Sequence, residues 1–87
     1  MVKRKLARPD GPVEEIFGTL EAALGSDAEV DRADGLRLTW PGRSEWLHVR
    51  PSGTEPILRI ITESSRAGRA DALAEEAAAC VLRASGS

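Results

Sequence analysis

The apolar residues of this 87-residue chain change period twice, and that change limits the possible folds more than any other feature. Val13, Ile16, Phe17, Leu20 and Leu24 recur at helical spacing. The stretch from Leu36 to Thr62 alternates like a strand, and Ala70, Leu73, Ala74, Ala77 and Val81 return to the helical period. Pro12 suits a first helical position, Glu14 and Glu15 favour the positive end of the helix dipole, and Gly25 supplies a stop. Together they predict a helix over about 12–24. Residues 28–33, with Val30 as the main apolar side chain, and Leu36, Leu38 and Trp40 predict two antiparallel strands. Asp34-Gly35 is a two-residue hairpin signal between them. After the break at Pro41-Gly42-Arg43-Ser44, Leu47 and Val49 alternate with Trp46, His48 and Arg50 across the two faces of a third strand. The β-branched run from Ile57 to Thr62 predicts a fourth. A second helix begins at about Arg66, with Ser64 or Ser65 placed to cap it.

Helices at the two ends of a run of strands specify an α+β fold: a four-stranded, mainly antiparallel sheet with two helices packed on one face and the other face open. A chain this short hides only about 60% of its unfolded surface, enough for one two-layer core and no more. Residues 1–9, with Lys3, Arg4, Lys5 and Arg8 before Pro9, read as a tether with room for a short edge strand; residues 10–87 read as the single domain.

Twelve Lys and Arg against 14 Asp and Glu leave a net charge of −2, which argues against a generally basic nucleic-acid binder. Any anion must be captured locally, against the average field. No apolar run approaches the roughly 20 residues that span a bilayer, and the charged start leads into no apolar signal segment, so neither membrane nor secretion is expected and a cytoplasmic location is. One cysteine, Cys80, and one histidine, His48, leave no internal disulfide and no structural zinc site; no metal site is expected in this chain. Cys80, beside Val81, reads as a small buried hydrophobe.

The chemistry concentrates in Arg50-Pro51-Ser52-Gly53-Thr54-Glu55-Pro56. Each proline pushes the residue before it, Arg50 or Glu55, toward extended backbone, so the loop is partly shaped before any ligand arrives. Less order is then lost on binding. Ser52 and Thr54 offer hydroxyl donors, Gly53 allows a close backbone approach or a positive φ, and Arg50 offers a planar fork that matches phosphate oxygens. Ser-Gly-Thr alone is common turn chemistry; the flanking arginine and paired prolines are what point to an anion. The segment has no Gly-Lys-Ser/Thr and joins two strands, so it is not a Walker loop.

This loop, followed by the strand Ile57-Leu58-Arg59-Ile60, resembles the phosphate-binding loop of the α-D-phosphohexomutases, the family of phosphoglucomutase, phosphomannomutase and phosphoglucosamine mutase. The order of Asp34-Gly35, the strand Trp46 to Arg50, the loop and an alanine- and glutamate-rich last helix follows that family's C-terminal domain. The resemblance implies a TBP-like fourth domain that closes over an active site and grips the phosphate of a hexose phosphate. The parent enzyme would be a magnesium-dependent isomerase moving phosphate between the 1- and 6-positions. Matched by motif, Arg50, Ser52, Gly53 and Thr54 correspond to the phosphate contacts; Arg59 stands where the family often keeps a basic residue, and Glu55 and Pro56 hold loop shape. The family's phosphoserine loop, Asp-x-Asp-x-Asp metal segment and sugar-selecting loop are absent from these 87 residues. The resemblance therefore implies a fragment, inactive alone, whose partners are the phosphosugar and the remaining domains, and whose first residues belong to the connection from a preceding domain.

His48 shares a strand face with Arg50 and could reach a bound phosphate, but no carboxylate or second histidine is spaced to make a catalytic pair with it. Trp40 and Trp46 fit core or cross-strand packing better than sugar stacking. Asp27, Glu29, Asp31, Asp34, Glu75 and Glu76 read as solvated turns and faces. The alternative to a mutase fragment is a free-standing anion-binding or protein-interaction module that uses the open sheet face.

Overall fold

The alternation between Leu36 and Thr62 becomes three long strands in the computed structural model, which describes residues 1–8 and 12–86. In chain order the elements are β1 (Val2–Ala7), α1 (Val13–Leu24), β2 (Glu29–Asp31), β3 (Leu36–Trp40), a 3₁₀ turn (Pro41–Arg43), β4 (Glu45–Pro51), β5 (Ile57–Ser64) and α2 (Arg69–Gly86). The sheet order is β1-β5-β4-β3-β2, with every neighbouring pair antiparallel. Directly opposed residues share a face, so the register Leu36↔Val49, Leu38↔Leu47 and Val49↔Ile60 gathers one apolar surface. Both helices cover it. Ile16, Phe17 and Leu20 of α1, and Leu73, Ala74, Ala77, Cys80 and Val81 of α2, meet Leu36, Leu38, Trp40, Leu47, Val49, Leu58 and Ile60 in a single buried core.

The α+β class, the two helices and the antiparallel sheet agree with expectation; the strand count does not. Five strands are present, because residues 2–7, within the segment read as a tether, pair with β5 from Val2↔Thr62 to Ala7↔Ile57. Val2 and Leu6 pack toward the core while Lys3 and Lys5 point away from it. Only Val2 and Leu6 mark its core face, and the three cations Lys3, Arg4 and Lys5 mask its alternation. The 9/10 boundary assigned between tether and domain lies outside the described residues.

Three local expectations also shift. The β2–β3 connection runs over four residues, Arg32 to Gly35, and not two. The two-residue type I′ turn that Asp-Gly favours needs a positive φ at both central positions, and here Gly35 has one (+76°) while Asp34 does not. Asp31 Oδ1 instead accepts the Ala33 N–H at 2.8 Å and shapes the start of the turn. The second helix begins at Arg69, later than Arg66, and Ser64 does not cap it. Ser64 Oγ accepts the Arg66 N–H at 3.1 Å and donates to Glu45 Oε1 at 3.2 Å.

The start of α2 is fixed to the sheet by buried polar contacts. Glu45 is 1% exposed, and its Oε1 lies 3.3 Å from Nε of Arg69; Thr62 Oγ1 donates to the Ala70 carbonyl at 2.7 Å. At the sheet edge, Arg4 reaches Asp71 and Glu75 on the same helix at 3.9 and 3.6 Å. No helix among the described residues is long and apolar enough to cross a membrane.

Candidate functional site

The loop at 51–56 is held at its base by the two strands it joins. β4 and β5 pair from Glu45↔Ser64 to Pro51↔Leu58, and the Ser52 N–H donates to the Ile57 carbonyl at 3.0 Å to close the neck. Inside the loop, Ser52 Oγ accepts the N–H groups of Thr54 and Glu55, each at 3.3 Å, and the Ile57 N–H donates to the Glu55 carbonyl at 2.8 Å. Ser52 thus shapes the loop from within and retains its own O–H for an outside acceptor, since a hydroxyl accepts and donates at once. Gly53 does not use the positive φ open to glycine, and a Cβ there would meet nothing within 4 Å. The chain's own packing gives no reason for its missing side chain.

Arg50 and Arg59 are register partners on the open face, and Lys5 follows Arg59 on β1. Strands lie about 4.8 Å apart, so three cations stand side by side across three strands. Like charges directly opposite one another are unfavourable. Two carboxylates soften the row: Asp34 Oδ2 lies 3.4 Å from Arg50 Nη1, and Glu55 Oε1 lies 4.0 Å from Arg59 Nη2. His48, also on this face, has Nε2 2.6 Å from the Asp34 carbonyl. With that carbonyl accepting, Nε2 carries the proton.

The site residues named from sequence therefore divide. Arg50, Ser52, Gly53 and Thr54 lie together at one end of the sheet, Arg59 stands beside Arg50, and His48 is engaged by the β2–β3 turn. Asp34, read from sequence as a solvated turn residue, is the ion-pair partner of Arg50. The register Leu36↔Val49 brings that turn beside Arg50, and the register is set by strand pairing that no local motif records. Trp40 is buried in the core. Trp46 lies on the open face, under the Arg37 guanidinium (4.7 Å to the ring centroid), and donates Nε1–H to Glu63 at 3.2 Å.

Three surface concavities adjoin this face. One of about 180 Å³ is lined by Lys3, Arg4, Lys5, Arg59 and Ile61, and one of about 190 Å³ by Asp31, Ala33, Asp34, Arg37 and His48. The largest, about 480 Å³, lies at the β2 edge between Glu29, Asp31, Arg32, Arg37 and Thr39. Two carboxylates line each of the last two, and none lines the first, which is the best match to an anion.

Comparison with known proteins supplies the family. Residues 1–80 match the family described as phosphoglucomutase/phosphomannomutase, C-terminal domain. Similar curated proteins include a "Probable phosphoglucosamine mutase" of Methanocella arvoryzae, 34% identical over 84% of this chain and 16% of that relative. A "Phosphoglucosamine/phosphogalactosamine mutase" of Sulfurisphaera tokodaii is 37% identical over 87% of this chain and 17% of that relative. A "Phosphomannomutase" of Sinorhizobium fredii is 47% identical over 52% of this chain and 9% of that relative. The chain thus spans about a sixth or less of the length of these relatives. With residues 1–80 matched, the chain belongs to the phosphoglucomutase/phosphomannomutase C-terminal domain family.

Proposed function

We infer that this chain is the substrate-phosphate clamp of a hexose-phosphate mutase, an intramolecular phosphotransferase that interconverts sugar 1- and 6-phosphates. The observation that carries the reading is the loop itself. It is closed at its neck by backbone bonds, braced from within by Ser52, and flanked by the exposed guanidinium of Arg50. Arg50 supplies charge and a bidentate fork, the Ser52 and Thr54 hydroxyls donate to phosphate oxygens, and the space over Gly53 lets an oxygen approach the backbone. Arg59 adds a second positive charge, and His48 keeps the neighbouring turn in place. Hydrogen bonds to charged groups contribute roughly 1.5 to 3 kcal/mol each before the costs of association, so three or four support a weak, exchangeable grip.

The chain alone transfers no phosphoryl group, because that step needs a nucleophile and a metal as well as a clamp. Among the described residues no three His, Cys, Asp or Glu side chains are grouped to hold an ion. On this reading the magnesium of the intact enzyme is held by its other domains, which are also the partners of this one.

Titration with inorganic phosphate and with glucose 1,6-bisphosphate, followed by amide NMR, tests the reading. Shifts centred on residues 50 to 54 are expected. A folded spectrum that stays silent there at tens of millimolar phosphate overturns it. Shifts confined to Trp46 and the rest of the open face would favour the free-standing interaction module.

A further inference from the structure

We propose that Asp34 is a built-in competitor for the loop's phosphate, an intramolecular counter-ion that holds the Arg50 guanidinium when the site is empty and yields it when phosphate binds. The proposal rests on the phosphate-clamp reading and adds to it a residue that no loop motif contains.

Three contacts fix the β2–β3 turn against the root of the loop. Asp34 Oδ2 lies 3.4 Å from Arg50 Nη1. The Asp34 carbonyl lies 2.6 Å from His48 Nε2. Gly35 sits so close to β4 that a Cβ on it would collide with the Val49 carbonyl oxygen and lie 3.0 Å from Arg50 Cβ. The carboxylate therefore stands beside Arg50 because the turn is seated there, not by chance rotation of a long side chain. Aspartate has a short stem, so little side-chain freedom remains to carry the charge away.

The sign of the effect follows from exposure. The Asp34 and Arg50 side chains are 65% and 46% exposed, so their ion pair is weak and readily exchanged. A phosphate dianion on the loop arginine would bring two negative charges next to the Asp34 carboxylate, and this repulsion opposes binding. Any help Asp34 gives by pre-aiming Arg50 is smaller, because the same carboxylate occupies one of the nitrogens that phosphate needs. The neighbouring charged groups are Arg59 and Arg37, which attract both anions, and Asp31 and Glu55, which repel both; all four are the same in every variant, so a difference between variants reports Asp34. Asp34 therefore lowers phosphate affinity and speeds release, which suits a clamp that must let its ester go when the sugar turns round.

The test compares phosphate dissociation constants, from amide shifts of residues 50 to 54, for the native chain, Asp34→Asn, Asp34→Ser and Arg50→Ala. Asn and Ser both suit turns, and two variants guard against failure of either to fold. Neutral residues at 34 are expected to tighten phosphate about three- to tenfold, with a faster fall in affinity as salt is added because the uncompensated Arg50 charge is screened. Unchanged or weaker binding in a folded neutral variant, with native binding intact, overturns the competitor role and leaves the clamp standing. No binding in any variant overturns the clamp reading, and this proposal with it.

Discussion

Strand β4 carries an ion pair near each end, and the two pairs differ in almost everything except length. Glu45 and Arg69 lie 3.3 Å apart, with the Glu45 side chain wholly buried and Arg69 27% exposed; Arg50 and Asp34 lie 3.4 Å apart with both partners in water. At the buried end a charge removed from solvent must keep its partner, so the pair fixes α2 to the sheet and cannot be traded. At the exposed end the pair is weak and an incoming anion can replace one member. A distance alone does not reveal what an ion pair does; its surroundings decide whether it is architecture or an exchangeable contact.

Removing one partner at the buried end gives the largest expected effect. Arg69→Ala leaves the Glu45 carboxylate buried without its cation and is expected to destabilise the chain by about 3 kcal/mol, lowering Tm by roughly 12 to 24 °C in a thermal melt. A loss below about 1 kcal/mol would break the contrast, since the buried pair would then behave like the exposed one.

Next in size is Arg50→Ala, whose effect moves from stability to ligand. Phosphate affinity is expected to fall about 10- to 100-fold, the worth of a charge-assisted bidentate contact of about 1.5 to 3 kcal/mol, while urea unfolding changes by under about 0.5 kcal/mol. If the proposed function holds, turnover of a full-length mutase carrying this substitution should suffer far more than its melting temperature. Parallel losses in both would mean that Arg50 is structural after all.

Gly35→Ala strikes between the two ends. A left-handed φ and the close approach to Val49 and Arg50 predict about 1 to 3 kcal/mol of destabilisation, read by urea unfolding, with loop shifts in the amide spectrum. Gly53→Ala is the smallest: stability changes by less than about 1 kcal/mol because the new methyl meets nothing, yet phosphate binding weakens if the ligand uses that space. A stability loss larger than at Gly35 would contradict the open space over Gly53.

Much of this was legible in the chain because each long element follows its own period. The helix at Val13–Leu24 keeps the helical period, β3 and the centre of β4 alternate, β5 is marked by its β-branched run, and the loop motif is made of adjacent residues. The edge strand β1 was obscured by its cations: Arg4 faces the helix side, where Asp71 and Glu75 receive it, so its position breaks the apolar alternation. Asp34 was obscured differently. Its partner lies 16 residues away, and only the pairing of β3 with β4 joins them. The chemistry of a loop can be read along a sequence, but the groups that modulate it arrive through register.

The place of that loop in the strand order has one more consequence. β4 is the middle strand of five and β5 is its neighbour, so both strands at the loop's neck are flanked by hydrogen-bonded partners on either side. Fraying of a sheet starts at its borders, here β2 and β1, and reaches the centre last. Amide protons along β4 and β5 should be among the slowest in the molecule to exchange with deuterium. The loop would then keep its shape through partial openings that peel away the outer strands, and lose it only when the whole chain comes apart.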